Sequence, residues 1–600
     1  MLKVLTAEQM REVDRLTTER YGIPSIILME NAAHAVARVI TEKLGGSVKG
    51  KSVLILCGRG NNGGDGAALA RMLWTAGAVV SVFLFGKVED TKGDARINFD
   101  ILRSISNFHS RKEYDPYDKP DAGRIYFCEE HDGEYFRKRF RPLARPEVVV
   151  DAIFGTGLSR KLEENICQVV TSEWFDERSE RDSLFLLISV DLPTGLRVRT
   201  DWADEISANA DVTVTFTAPK IPNVLPPAAA RNGELIIADI GSPMELINEA
   251  NSQLYVSEEE DVRGLLHYWL NFESSDYKNK RGHALIVAGS EQYSGAAVMC
   301  GNSAMRSGVG LTTLLVPASC KVEVASRVIP EVIVGTIGEN AGAIGKADSI
   351  LIGPGLDVND GEGGKLVREI VSTRTVPVIL DAGALGFCEA PTSLLQEEPR
   401  DGSPPYEGGV ASASFADDGV VLSSRDTSTS VVPRVENHPV AEAATPLLRK
   451  EASLERLQPL ILTPHEGEFL RLLGTDDKDA IKDRVATVRE FAVERNVILV
   501  LKGERVLIGS PDGRVVVNPT GNSGLGKAGN GDTLAGILAG FVAQAVKFEI
   551  DIFETVVAAV YVAGMAGDIA EKKYGKRVMT ASDVRECLVD VFAEFEKKSY

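Results

Sequence analysis

Apolar runs of strand length that each stop at an aspartate or a glycine recur along this chain, and that punctuation constrains its fold more than any other feature. Val148–Val150 leads into Asp151-Ala152-Ile153-Phe154-Gly155-Thr156-Gly157, and Leu184–Val190 into Asp191-Leu192-Pro193-Thr194-Gly195. Ser349–Ile352 leads into Gly353-Pro354-Gly355, and Val376–Leu380 into Asp381-Ala382-Gly383. Runs apolar at consecutive positions suit parallel strands covered on both faces, and helical stretches stand between them. The expected fold class is therefore α/β, with doubly wound sheets and ligands at the carboxyl ends of their strands. Six hundred residues exceed a single core, so two such domains are expected, residues 1–245 and 246–600, with the polar, amphipathic stretch 246–280 as the junction. Residues 389–448, rich in Pro, Gly, Ser, Glu and Asp, read as a low-complexity surface insertion in the second domain.

Charge and cysteine usage narrow the function classes. A formal net charge of −20 argues against a nucleic-acid surface and points to small-molecule partners. Seven cysteines without CxxC spacing read as reduced and intracellular, with no structural zinc. The first residues carry no signal-peptide core and no run of about 18 apolar residues occurs. The expectation is a cytoplasmic protein with no membrane contact, assembled as a homo-oligomer.

Two stretches carry candidate chemistry. After the strand Ser52–Cys57 comes Gly58-Arg59-Gly60-Asn61-Asn62-Gly63-Gly64-Asp65-Gly66, read as a glycine turn before a helix at Ala67–Ala76. Its spacing fits neither a dinucleotide fingerprint nor a Walker A loop, and its asparagines and aspartate suggest ligand contacts. The second stretch is Lys527-Ala528-Gly529-Asn530-Gly531-Asp532-Thr533 before the apolar run Leu534–Val542. Glycines there permit a tight turn with exposed amides, an anion can rest on the helix N-terminus, and Asp532 can act as a base toward an alcohol meeting a phosphate. A loop closed by an N-cap aspartate is the plain alternative. Glu30 and His34, four residues apart on a helix, read as a polar face rather than a metal pair.

Four blocks in the first half, NNGGDG, DAIFGTGL, VDLPTG and ADVTVTF followed by Pro219-Lys220, resemble the NAD(P)H-hydrate epimerase domain, with a Rossmann-like fold. The blocks AGSEQYSGAA, GPGL, LDAGAL, TPHEGEF, LVLKG and GNGDTLAG resemble the NAD(P)H-hydrate dehydratases of the ribokinase-like superfamily. The first resemblance implies substrate contacts at Asn61, Asn62, Gly63, Gly64 and Asp65, at Gly155, Thr156, Gly157, Leu158, Ser159, Arg160 and Lys161, and at Asp191. It also implies potassium at Asn62, Asp151 and Thr194, and acid–base catalysis at Asp191. The second implies a hydrate pocket at Ala296, Gly355, His465 and Asp532, with Asp532 catalytic. Nucleotide contacts then fall at Lys502, Gly503, Glu504, Arg505, Val506 and Gly531. Asp357, Gly383 and Asn530 depart from the dehydratase pattern, standing where glycine, aspartate and methionine are usual.

The resemblance implies cofactor repair. The first domain would interconvert the R and S hydrates of NADH and NADPH (NADHX and NADPHX), and the second would dehydrate the S form at the expense of ADP, with magnesium on the phosphates. A ribokinase-like sugar or vitamin kinase with an accessory α/β binding domain is the alternative, because the GxGD turn is shared across that superfamily. A non-catalytic scaffold is the remaining class, against which both aspartates weigh.

Overall fold

The computed structural model describes residues 1–109, 125–130, 146–158, 162, 185–196, 207–270, 275–338, 341–357, 361–388 and 457–597. The expected contacts of Ser159, Arg160 and Lys161, and the insertion at 389–448, lie outside the described residues. The strands are β1 (Leu2–Lys3), β2 (Ser52–Cys57), β3 (Val79–Phe85), β4 (Ile125–Glu130), β5 (Val148–Ala152), β6 (Leu186–Val190), β7 (Val212–Phe216), β8 (Glu234–Ala238) and β9 (Leu254–Val256). They continue as β10 (His283–Val287), β11 (Leu311–Val316), β12 (Ile333–Thr336), β13 (Ser349–Ile352), β14 (Val378–Leu380), β15 (Leu460–Leu462), β16 (Ile498–Leu501), β17 (Leu507–Gly509) and β18 (Val515–Val517).

Strands β2 to β8 form a seven-stranded sheet in the order β4-β3-β2-β5-β6-β7-β8, parallel at every pairing. Alternate residues of β2 serve the two faces: Val53 and Ile55 join one apolar cluster, Leu54 and Leu56 another. Both faces are therefore covered, which is why the strands read as continuous apolar runs. The chain order reverses between β2 and β5, and a crevice opens there beyond their carboxyl ends.

The second sheet has eleven strands, β1-β9-β18-β17-β16-β15-β14-β13-β10-β11-β12, parallel from β10 through β16 and antiparallel at β16–β17–β18. Its faces are covered in the same way, Ala284 and Ile286 on one side, Leu285 and Val287 on the other. Helix Ile552–Tyr574 is long and apolar enough to cross a bilayer, but most of that stretch is buried against the neighbouring helices of this core.

Two features go beyond the sequence reading. Residues 2–5 tie the sheets together: Leu2 and Lys3 pair antiparallel with Val256 and Tyr255 of β9, and the Leu5 N–H donates to Pro219 O at 2.9 Å. The 246–280 stretch is thus more than a junction, since β9 lies within the second sheet. The glycine-rich stretch after β2 is also not a turn. Helix α3 begins at Asn61 and runs to Thr75, so NNGGDG forms its first turns. Its glycines serve close packing: a Cβ on Gly66 would stand 2.8 Å from both Ala152 Cβ and Cys57 Sγ. Gly66→Ala should therefore lower stability by about 1–3 kcal/mol, as overpacking does, even though alanine gains about 1 kcal/mol in helix propensity. Chemical denaturation checks this, and a stabilised variant would show that the strand–helix spacing yields easily.

Candidate active sites

The crevice at the β2/β5 reversal is a cavity of about 490 Å³. Gly58, Asn61, Asn62 and Asp65 enter it from the end of β2 and the start of α3, Gly155, Thr156 and Gly157 from the loop after β5, and Asp191 and Lys220 from the ends of β6 and β7. Gly63 and Gly64 are buried in the α3 wall behind it and Leu158 is buried too, and none of the three is among the lining residues. The structure thus gathers most of the predicted epimerase contacts around one space.

Asp191 is held from four directions. Its backbone is left-handed, φ 66°, with its N–H donating to Val214 O at 2.7 Å. Lys220 Nζ donates to Asp191 Oδ1 at 2.6 Å, Thr215 Oγ1 to the same oxygen at 3.1 Å, and the Thr156 N–H to Oδ2 at 3.3 Å. Lys220 is only 1% exposed and spends its remaining donors on Thr215 Oγ1 and Phe216 O. A Cβ on Gly155 would lie 2.8 Å from Asp191 Oδ2 and 3.1 Å from Asn62 Oδ1, so only glycine lets these two side chains approach there. Asp191 and Lys220 make a buried, fully hydrogen-bonded ion pair whose free edge faces the cavity.

Asp151 lies beneath the site with no exposed surface. Its Oδ1 accepts from Thr194 Oγ1 at 2.6 Å, and its Oδ2 from the Thr194 N–H at 2.8 Å and Ser189 Oγ at 3.0 Å. Burial raises its carboxyl above the ordinary range, and these hydrogen bonds only partly oppose the rise. A buried carboxylate whose hydrogen-bond donors among the described residues are all neutral, with the Thr194 hydroxyl against it, has the chemistry of a hard-cation ligand. Asn62 lines the cavity, whereas neither Asp151 nor Thr194 does. Glu30, by contrast, pairs with Arg71, and His34 is exposed. The polar-face reading of that pair holds.

The second cavity, about 910 Å³, lies beside β16–β18 and the helices Asn530–Phe548 and Ile552–Tyr574. His465, Lys502, Gly503, Glu504, Arg505, Val506 and Gly531 all line it. Gly529, left-handed at φ 89°, is the N-cap, and the helix starts at Asn530. Two side-chain atoms at this N-terminus, Asn530 Oδ1 and Thr533 Oγ1, are buried without a partner among the described residues, and both residues line the cavity. The Thr533 hydroxyl at the first turn of a helix can donate to an anion there, whereas Asn530 Oδ1 can only accept. His465 has a second role, capping helix Glu466–Leu472: its Nδ1 accepts from the Gly467 and Glu468 N–H groups at 3.0 and 3.2 Å.

Asp532 is not among the cavity-lining residues; its neighbours are Asp381 and Lys502. Lys502 Nζ donates to Asp381 Oδ1 at 2.8 Å and lies 4.0 Å from Glu468 Oε2, while Thr463 Oγ1 also donates to Asp381 Oδ1 at 2.7 Å. Burial and then the Asp381 charge push the Asp532 carboxyl up to about 6, with Lys502 opposing. Burial works most strongly against the Lys502 ammonium, but Asp381, Glu468 and Asp532 together more than offset it, and its pKa stands above the usual lysine value. Three carboxylates around one lysine leave room for further positive charge, which suits a divalent ion arriving on phosphate oxygens. Ala296 and Gly355 meet each other, a Cβ on Gly355 falling 2.8 Å from Ala296 Cβ, but neither lines the large cavity.

Sequence reasoning missed Lys220 as the partner of Asp191 and Asp381 as the partner of Lys502. Each pairing joins residues of different strand ends, and a lysine placed just after a buried strand is a faint signal. Asp14, on the helix Ala7–Tyr21, was also missed.

Comparison with known proteins follows the same division. Residues 25–221 match the family model described as YjeF-related protein N-terminus, and residues 284–400 and 441–589 the model described as NAD(P)H-hydrate dehydratase. The bifunctional NAD(P)H-hydrate repair enzyme of Moorella thermoacetica is 31% identical over 99% of this chain and 97% of its own length. The repair enzyme of Salinibacter ruber is 30% identical over 98% and 96%. Among solved structures, the ADP/ATP-dependent NAD(P)H-hydrate dehydratase of Bacillus subtilis co-crystallised with ATP and Mg2+ is 27% identical, covering 57% of this chain and 98% of that one, with a TM-score of 0.42.

Proposed function

As a chain that belongs to the family of bifunctional NAD(P)H-hydrate repair enzymes, it joins an epimerase to an ADP- or ATP-dependent dehydratase, and we propose that its two cavities are the two active sites. The observation that carries the assignment is the Asp191–Lys220 pair at one strand edge together with Asp532 at the helix N-terminus beside the other cavity. In the first cavity Asn61, Asn62 and Asp65 and the loop at Gly155–Gly157 bind the hydrate, and Asp191 does the acid–base work of the epimerisation. Asn62, Asp151 and Thr194 would hold potassium, which supplies fixed positive charge behind the substrate.

In the second site Asp532 takes the proton of the C6 hydroxyl, which attacks the terminal phosphate of ADP and releases AMP. The ring nitrogen then expels phosphate from C6, and loss of a C5 proton restores the reduced nicotinamide. Lys502 and the Gly531 amide hold the phosphates, while magnesium neutralises phosphate oxygens when bound. We prefer ADP as the co-substrate, on the resemblance of the fused two-domain architecture. Given the S hydrate and ADP, the protein should release AMP, phosphate and reduced nicotinamide in equal amounts. A stable phosphorylated product would make the second site a kinase instead.

A base must be ionised to act, so the pH profile has a definite sign. With the Asp532 carboxyl pushed up to about 6, kcat/KM for dehydration should fall as pH drops through that value and level off above it. Initial rates between pH 5 and 8 check this, and a profile flat across pH 6 would remove Asp532 from the role.

A further inference from the structure

The first cavity contains a carboxylate that nothing above assigns. Met10, Arg11 and Asp14 turn one face of helix Ala7–Tyr21 toward the space that Asp65, Asp191 and Lys220 line. Asp14 Oδ1 is buried without a hydrogen-bond partner among the described residues. An acceptor left unpaired at the wall of a polar cavity is unfavourable unless a ligand or a proton serves it. The neighbouring Asp191 differs, since all its polar contacts with the protein are made.

We propose that Asp14 is the proton donor to the C6 hydroxyl in the first site, working with Asp191 as the acceptor. The proposal rests on the reading of this cavity as the epimerase site. The Asp14 carboxyl protonates the hydroxyl oxygen, and the C6–O bond breaks as the ring nitrogen's electron pair forms the N1–C6 double bond, releasing water. Water then adds to the opposite face of C6, the π electrons return to nitrogen, and the proton of the adding water passes to Asp191. Exchange with solvent returns that proton to Asp14, and the reverse reaction uses the pair in exchanged roles. No oxidant or other reagent is consumed.

The charges around Asp14 agree with a donor. Burial pushes its carboxyl up to about 6, Lys220 opposes, and Asp191 adds to the rise. Asp65, buried at the cavity wall with Asp14 and Asp191 as charged neighbours, is pushed well above the carboxylate range, by burial first. Arg11, Arg59 and Asp94 are the other charged groups at the wall.

The test measures epimerisation of pure R hydrate by the full chain and by Asp14→Asn and Asp14→Glu, from pH 5 to 8. Asp14→Asn should lose about 10²–10⁴-fold in kcat with KM little changed, and the fall in parent kcat/KM above about pH 6 should vanish. Asp14→Glu should regain part of the loss. Asp14→Asn with near-parent kcat, or with the parent's pH limb intact, would overturn the assignment while leaving the site reading in place. If Asp14→Asn does not fold, Asp14→Glu carries the test: a folded variant that loses kcat, in part or wholly, supports a carboxyl donor at this place, and parent-like kcat with the parent's pH limb unmoved contradicts it. A parent that never epimerises would overturn the reading of the cavity and the proposal together.

Discussion

Asp532→Asn should abolish nucleotide-dependent dehydration, by about 10²–10⁴-fold in kcat, the usual contribution of a positioned base, while epimerisation continues at the parent rate. The amide cannot accept the hydroxyl proton, yet it is nearly isosteric and keeps its place in the first turn of helix Asn530–Phe548. Folding should not suffer, because the carboxyl is disfavoured where it stands: burial and Asp381 both raise it to about 6. The sign follows from linkage. A carboxyl whose folded pKa exceeds its unfolded value costs stability once pH rises past the unfolded value, with the full cost reached above about 6. Replacing it by a neutral amide removes that cost at pH 7, so the melting temperature should hold or rise. Dehydration near the parent rate would exclude Asp532 as the base, and a parallel loss of epimerisation would mean the two sites are not independent.

Asp191→Ala should stop epimerisation by a similar factor and should also destabilise the first domain, which separates it from Asp532→Asn. Removing the carboxylate strands the Lys220 ammonium at 1% exposure, and breaking a buried pair in this way typically costs about 3–5 kcal/mol. The left-handed backbone at φ 66° adds a smaller penalty for alanine. Asp191→Asn avoids most of both, because asparagine tolerates that conformation and still offers Lys220 an oxygen. Asp191→Ala with Lys220→Met should recover stability without recovering activity. If the double variant epimerises, Asp191 serves only to hold the loop, and the acid–base group lies elsewhere in the cavity. In every variant added S hydrate should still be dehydrated with nucleotide.

The longer strands and the loops at their carboxyl ends were legible in the sequence because each apolar run is buried on two faces and ends in residues that a helix or strand interior would not keep. Ala296, Gly355 and Asp532, however, do not line the second cavity as expected. Val148–Ala152 and Leu186–Val190 needed no tertiary information. The turn assigned to NNGGDG was wrong for a physical reason: glycine was taken as a signal of backbone freedom, whereas Gly63, Gly64 and Gly66 lie inside α3, where a Cβ would strike neighbouring backbone or side chains. Strands of two and three residues such as β1 and β9 are too short to show a period, and their pairing joins residues about 250 positions apart. Separation along the chain also hid Asp14, while Lys220, 29 positions from Asp191, was hidden by its residue type. A lysine is read from sequence as a solvated cation, and only the fold brings Lys220 against Asp191 and Thr215.

The account stands or falls on whether one chain performs both reactions. Pure R hydrate of NADH, incubated with the protein, potassium, magnesium and ADP, should regain the absorbance of the reduced nicotinamide, with AMP and phosphate appearing in step. Omitting ADP should leave a mixture of R and S hydrates with no absorbance recovered. Absorbance that returns from the S hydrate but never from the R form, or R hydrate that stays unconverted with ADP present, would contradict it.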